Sequence, residues 1–245
     1  MKILMSDYDG TLRIHEPQGS YIRPGDIRAI TAFQEAGNLF GICTGRPVYW
    51  LKEDLDPRVQ MDLIVASSGA VVEDCRTGTN LFRKDLPREM IDNLLGRMDE
   101  YIEFSVHGLK ERYVIKSLNH PTINTVSAGE IPDTAISGIS ICAGTVEKAK
   151  TLSDYINDAY GDSAVAFQNI EYIDIIHKDC SKGTGILKLK EVLKPEVIAG
   201  IGDSFNDIPM LDACDISFTF DFSDPQVQEH ADYIVHSIEE AIGLL

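Results

Sequence analysis

The sequence predicts an α/β fold in which a parallel-sheet core is interrupted by an inserted α+β unit. Three observations carry that prediction. Short apolar runs alternate with amphipathic helical stretches over residues 1–82 and again over 179–245, the pattern of strands joined by helical crossovers. Three of those runs end directly in clusters of Asp, Thr, Gly and Asn, as strands of an open parallel sheet do where they meet ligands. Between the two stretches, residues 83–178 change character. Neighbouring runs there alternate polar and apolar like half-exposed antiparallel strands and are set between helices, which marks a separate α+β unit.

Residues 2–6 form the first buried strand, and Asp7, Asp9, Gly10 and Thr11 follow it at once. A polar loop bearing Pro and Gly is expected from 13 to 23. Pro24 then opens a helix whose apolar positions Ile27, Ile30, Ala32 and Phe33 lead to a stop at Gly37. A second strand over 38–43 ends in Thr44-Gly45-Arg46, and Pro47 opens a short helix. A third covers 62–67, and Ser68-Gly69-Ala70 turns the chain into 71–74. In the insertion, a helix over 87–99, strands over 101–107, 112–117 and 136–143, a helix over 145–160 and a hairpin at 163–168 and 172–176 are expected. The core resumes with a helix over 181–193 and a strand over 196–201, followed by Gly202-Asp203-Ser204-Phe205-Asn206-Asp207.

Composition narrows the function. The 245 residues carry 44% hydrophobic and 25% charged side chains, as a globular protein does. No apolar run is long enough to span a bilayer, and the N-terminus enters a strand directly rather than a signal segment. The net charge of −17 disfavours nucleic acid and anionic membrane as partners, since both demand clustered Lys and Arg. An anionic small substrate would meet a repulsive field and need a local cation, best supplied by a metal on some of the excess carboxylates. The five cysteines form no C-x-x-C pair and their number is odd, so reduced thiols in a cytoplasmic protein are expected. The histidines show no zinc spacing. Oligomeric state is not legible.

The pair Asp7 and Asp9 carries the chemistry. A carboxylate at a strand exit can attack phosphorus, and a second can carry the proton of the leaving group. A calcium loop starting at Asp7 would need Gly at its sixth place and Glu at its twelfth; the chain has Leu12 and Gln18 there. A plain Asp-Gly turn stays open on these residues alone. Two further clusters, Thr44/Gly45 and Asp203/Asn206/Asp207, would converge with the pair on one sheet edge, with Lys182 starting the helix before the last of them. Thr44 alone would also serve as a helix cap, and Lys182 as a solvated helix residue.

In order and spacing, Asp7-Tyr-Asp-Gly-Thr11, Thr44-Gly-Arg46, Lys182-Gly-Thr184 and Gly202-Asp-Ser-Phe-Asn-Asp207 resemble the four motifs of the haloacid dehalogenase superfamily of phosphohydrolases, closely its Cof-type branch with a large type II cap. The resemblance implies a Rossmann-like core over 1–82 and 179–245 and a cap over 83–178. It implies Asp7 as nucleophile and Asp9 as general acid and base. It also implies Mg²⁺ on Asp7, on the Asp9 carbonyl and on Asp203. Thr44, the Gly45 N–H, Lys182 and Asn206 become phosphate contacts, and Asp207 orients Lys182 or metal-bound waters. Arg46 divides between a functional role and a partnership with structural carboxylates. His177 reads as a hinge or surface residue. One departure stands out: family members usually carry Asn-Gly-Ala where this chain has Ser68-Gly69-Ala70, which puts an inherited substrate contact at that turn in doubt.

The function so implied is a cytoplasmic Mg²⁺-dependent phosphatase of small phosphorylated metabolites, sugar phosphates or phosphorylated cofactors, working through an aspartyl-phosphate. A sugar phosphomutase with the same core is the alternative, and an inactive phospho-ligand-binding protein a third. The insertion holds 10 Lys/Arg against 15 Asp/Glu, which offers no basic cradle for a second phosphate and favours hydrolysis. Its loops are expected to set substrate choice.

Overall fold

A computed structural model describes residues 1–108, 111–118, 124–131 and 135–245. It contains two compact units. One comprises Met1–Arg46, Leu51–Phe82 and Ser181–Leu245; the other comprises Pro47–Trp50 and Arg83–Cys180. None of the described helices is long and apolar enough to cross a membrane.

The chain opens with β1 (Lys2–Ser6), the hairpin β2 (Ile14–Glu16) and β3 (Gly19–Tyr21), α1 (Pro24–Glu35), β4 (Leu39–Cys43), α2 (Val48–Asp54), whose first residues belong to the second unit, β5 (Leu63–Ala66), β6 (Val71–Asp74) and β7 (Thr79–Arg83). The second unit supplies α3 (Arg88–Leu95), β8 (Glu103–His107), β9 (Arg112–Ser117), β10 (Gly138–Cys142), α4 (Val146–Ala159), β11 (Ala164–Asn169) and β12 (Tyr172–His177). The chain then returns through α5 (Lys182–Leu193), β13 (Val197–Ile201), α6 (Ile208–Ala213), β14 (Ile216–Phe220), α7 (Pro225–Gln228), β15 (Tyr233–Val235) and α8 (Ile238–Gly243).

The α/β expectation holds, and the topology explains the site. The eight-stranded sheet runs β15-β14-β13-β1-β4-β5-β6-β7. Strand β1 pairs in parallel with β13 on one side and β4 on the other, with Met5 opposite both Gly200 and Gly41. The chain order runs outward from β1 in both directions, so β1 sits at the switch point where an open sheet leaves a crevice at its carboxyl edge. Ile3, Met5 and Val65 from the strands pack with Ile186, Leu189 and Met210 from α5 and α6 in one dry cluster. Strands β4, β5 and β13 are apolar throughout because both faces are covered.

The second unit is a five-stranded antiparallel sheet, β11-β12-β10-β8-β9. One face buries Phe104, Val106, Ile139, Ile141, Ile173 and Ile175 against Met90, Leu94, Leu152 and Ile156 of the helices. The other face carries the alternate residues Glu103, Ser105, His107 and Ser140, as the period of two requires.

Several expectations shift. The polar loop at 13–23 contains the hairpin β2–β3, and β7 extends the sheet beyond β6. The helix expected over 87–99 stops at Leu95 and is followed by a 3₁₀ turn at Met98–Glu100, because Gly96 interrupts it. The strand expected over 136–143 is shortened to Gly138–Cys142.

Candidate active site

The Asp7 N–H donates to the Ile201 carbonyl at 2.9 Å, continuing the β1–β13 ladder by one rung and fixing Asp7 at the sheet's carboxyl edge. The chain then turns tightly, with the Arg13 N–H on the Tyr8 carbonyl and the Gly10 N–H on the Arg13 carbonyl. Gly10 sits at φ +92°, a conformation strained for a side chain, and a Cβ there would lie 2.7 Å from Asp203 Oδ2 and displace that carboxylate. Thr11 Oγ1 donates to Asp203 Oδ1 at 2.7 Å across the same junction.

Lys182 is the first residue of α5. Ser181 caps that helix, its hydroxyl accepting from the Thr184 N–H while the Thr184 hydroxyl accepts from the Ser181 N–H. The cap holds the helix start against the sheet edge, and Lys182 Nζ donates to Asp7 Oδ1 and to Asp207 Oδ1, both at 2.6 Å. Its side chain is 1% exposed. The other Asp207 oxygen accepts the N–H groups of Asp203 and Ser204 at 3.1 Å each, so Asp207 ties the loop after β13 to the lysine.

Asp7, Asp203 and Asp207 each bring a carboxylate oxygen within 4.8 Å of the others. Burial raises the Asp7 carboxyl above the ordinary range, and the Lys182 ammonium pulls it back. Burial also raises Asp203, against the hydrogen bond from Thr11. For Lys182 the burial penalty is outweighed by Asp7 and Asp207, so it is held charged. Three carboxylates meeting one ammonium leave the cluster short of positive charge when all are ionised. An all-oxygen donor set with that deficit fits a hard divalent cation such as Mg²⁺.

Thr44 follows β4, its N–H on the Val65 carbonyl at 2.8 Å and its hydroxyl accepting from the Arg46 N–H at 3.1 Å. It is buried, whereas Gly45 is exposed. The Asp9 carboxylate stands apart from the acidic cluster. Arg46 grips it with two bonds, Nε to Oδ2 at 2.6 Å and Nη2 to Oδ1 at 2.7 Å, and His15 Nε2 lies 3.0 Å from Oδ1. Arg46 Nη1 also donates to Asp54 Oδ2 at 2.6 Å, and the guanidinium lies over the Tyr8 ring at 5.0 Å. Of the two readings for Arg46, it is thus the carboxylate partnership that the geometry displays, with Asp9 one of the carboxylates. Asn206 is exposed, its amide oxygen accepting from the Ser204 hydroxyl at 2.7 Å.

The expected residues Asp7, Lys182, Asp203 and Asp207 therefore meet in one hydrogen-bonded cluster. Sequence reasoning did not single out His15 or Asp54. His15 lies on the overlooked hairpin, and Asp54 is one acid among many at a helix end. His177 contributes nothing to the cluster and lies in the second unit.

A family model described as haloacid dehalogenase-like hydrolase matches residues 4–244. Among curated relatives, a candidate bifunctional phosphatase/peptidyl-prolyl cis-trans isomerase of Streptococcus pyogenes is 25% identical over 98% of this chain, which spans only 52% of that protein. A candidate phosphatase of Bacillus subtilis, YxeH, is also 25% identical, over 98% of this chain and 94% of its own length. Among solved structures, a haloacid dehalogenase-like hydrolase from Bacteroides thetaiotaomicron superposes with a TM-score of 0.86 at 19% identity, covering 99% of this chain and 98% of the other. The subclass IIB sugar phosphatase BT4131 superposes with a TM-score of 0.76 at 21% identity, covering 98% and 95%. These structural likenesses establish a shared fold.

Proposed function

The chain belongs to the haloacid dehalogenase-like hydrolase family, and from that premise we propose that it is a cytoplasmic Mg²⁺-dependent phosphatase of small phosphorylated metabolites, with sugar phosphates the first class to test. The observation that carries this reading is the Asp7–Lys182–Asp207 chain at the mouth of the sheet, with Asp203 beside it. A carboxylate anchored through one oxygen by a buried ammonium presents its other oxygen for attack in a fixed direction. The names of the curated relatives and of BT4131 point the same way.

In this mechanism Asp7 attacks phosphorus and the bond to the substrate alcohol breaks. Asp9, which must first part from Arg46 and carry a proton, gives that proton to the departing oxygen, and Asp7 is left as an aspartyl-phosphate. Asp9, now ionised, takes a proton from water as that water attacks the same phosphorus. Inorganic phosphate leaves and Asp7 is restored. The Thr44 hydroxyl, the Gly45 N–H and the Lys182 ammonium receive the phosphoryl oxygens, where charge builds in the transition state. Asn206 is assigned the remaining phosphate contact, which requires it to leave Ser204. Asp7, Asp203 and the Asp9 carbonyl would hold Mg²⁺, whose charge would offset the negative charge of the reacting group. Asp207 holds the lysine in place.

The test is a screen of phosphorylated metabolites and an aryl phosphate, with and without Mg²⁺. Chelation should remove activity and Mg²⁺ restore it better than Ca²⁺. Asp7→Asn should show no steady-state turnover while retaining the circular dichroism of the folded chain. Measurable turnover in a pure Asp7→Asn sample, or an unchanged rate after chelation, would refute the mechanism.

A further inference from the structure

Strand β5 is followed by the turn Ser67-Ser68-Gly69, and all three residues lie at positive φ, 47°, 49° and 96°. Glycine enters that region freely, but two consecutive serines do so only where their surroundings hold them there. The restraints are local. The Ser67 N–H donates to the Arg46 carbonyl at 2.9 Å, and the Ser68 N–H donates to the Thr44 carbonyl at 3.1 Å. Behind them, Gly69 presses so closely on the next segment that a Cβ would lie 2.0 Å from the Ser181 carbonyl oxygen. The turn is therefore wedged between Thr44–Arg46 and the residue preceding Lys182.

The Ser68 side chain is half-buried, and its hydroxyl has no hydrogen-bond partner among the described residues. That hydroxyl lies 3.5 Å from the point a Cβ on Gly45 would occupy, so it stands beside the exposed Gly45 loop. A glycine at 68 would relax the turn yet bring no donor. The unfavourable backbone is retained with a free hydroxyl at its tip, beside the loop assigned to phosphate.

We propose that Ser68 is a phosphoryl-binding residue, its hydroxyl donating to an oxygen of the group received by Thr44, Gly45 and Lys182. This rests on the phosphatase reading above.

The experiment compares wild type with Ser68→Gly, Ser68→Ala and Ser68→Asn. It measures Tm, kcat/KM for p-nitrophenyl phosphate at saturating Mg²⁺, and inhibition by inorganic phosphate. A hydrogen bond to a charged oxygen is at stake, so the hydroxyl-free variants should lose about tenfold in kcat/KM and bind inorganic phosphate about tenfold more weakly. Ser68→Gly should nonetheless raise Tm, because it removes the backbone penalty. Ser68→Ala should show the same losses without the gain. Ser68→Asn tolerates the left-handed region and keeps a donor, so it should raise Tm and stay within about twofold of wild type. If the turn is merely structural, activity follows Tm and Ser68→Gly is as active as wild type, which overturns the proposal. Should wild type hydrolyse no phosphate monoester, the phosphatase reading falls. Ser68 is then judged by calorimetric titration of inorganic phosphate with Mg²⁺: tenfold weaker binding to Ser68→Gly sustains it, and equal or absent binding overturns it.

Discussion

Lys182 carries two ion pairs with almost no access to water, and this sets what its loss would do. Replacing it with methionine leaves Asp7 and Asp207 buried without a counter-charge, a class of change that costs about 3–5 kcal/mol. Lys182→Met should therefore unfold at markedly lower urea in the absence of Mg²⁺, and adding Asp207→Asn should return part of the loss. An unchanged urea midpoint would mean that the pairs contribute nothing. Arg46 invites a different experiment. Its two parallel bonds to Asp9 need a planar guanidinium, which lysine cannot imitate. If Arg46 positions Asp9 for the proposed proton transfer, Arg46→Lys should lower kcat about tenfold or more on an alkyl phosphate and much less on an aryl phosphate, whose leaving group needs little proton help. Equal losses on both would show that Arg46 does not act through Asp9. Asp7, Lys182 and Asp203 were legible because each sits at a strand exit or helix start within a motif. His15 and Asp54 were not, because what selects them is proximity to Asp9 and Arg46 in space, which no local spacing encodes.

At the level of elements, the legible parts were those with strong periodicity and many apolar residues. Strands β1, β4, β5 and β13 are short apolar runs bounded by polar clusters. The hairpin β2–β3 is nearly all exposed, so it has no burial pattern to read, and its three-residue strands fall below what alternation can signal. In the second unit, β8 places His107 on the sheet face away from the helices. Burial, with the nearby Arg112 guanidinium adding to it, pushes the imidazole down to about 3. Its Nε2 lies 3.2 Å from the Ser140 hydroxyl, which in turn donates to Asp174. The unfolded chain takes up a proton near pH 6.5, whereas the folded ring refuses it until about pH 3. His107 therefore supports folding fully above pH 6.5, and that support is lost as pH falls through the window down to about 3, at up to about 1.4 kcal/mol per pH unit. His107→Gln should flatten the pH dependence of urea stability between pH 6.5 and 4. A slope unchanged from wild type would mean the ring is protonated in the folded state.

For the whole molecule, charge is the governing quantity. With a net −17, the protein repels the dianion it is proposed to bind, and that repulsion acts over distances that salt screens. At saturating Mg²⁺, raising ionic strength from about 0.01 to 0.15 M, which shortens the screening length from about 30 to 8 Å, should raise kcat/KM for a phosphate monoester. A fall would place a local positive field, rather than the overall charge, in control of encounter. The α/β class was legible from alternation. The course of the strands through the sheet was not, because which strand lies beside which is a choice made by tertiary packing.

That course has a consequence in time. Strand β1, which bears Asp7, is sandwiched between β4 and β13, yet β13 begins 195 residues after β1. During synthesis the strand bearing Asp7 has one neighbour within the next few tens of residues and waits for the other until the whole insertion has been made. At about 5–20 residues per second, that interval is roughly 10–40 s. Throughout it, one edge of an apolar strand is open to any other extended chain, while residues 83–180 can already settle around a core of their own. The Asp7 carboxylate is thus written long before the strand that completes its surroundings.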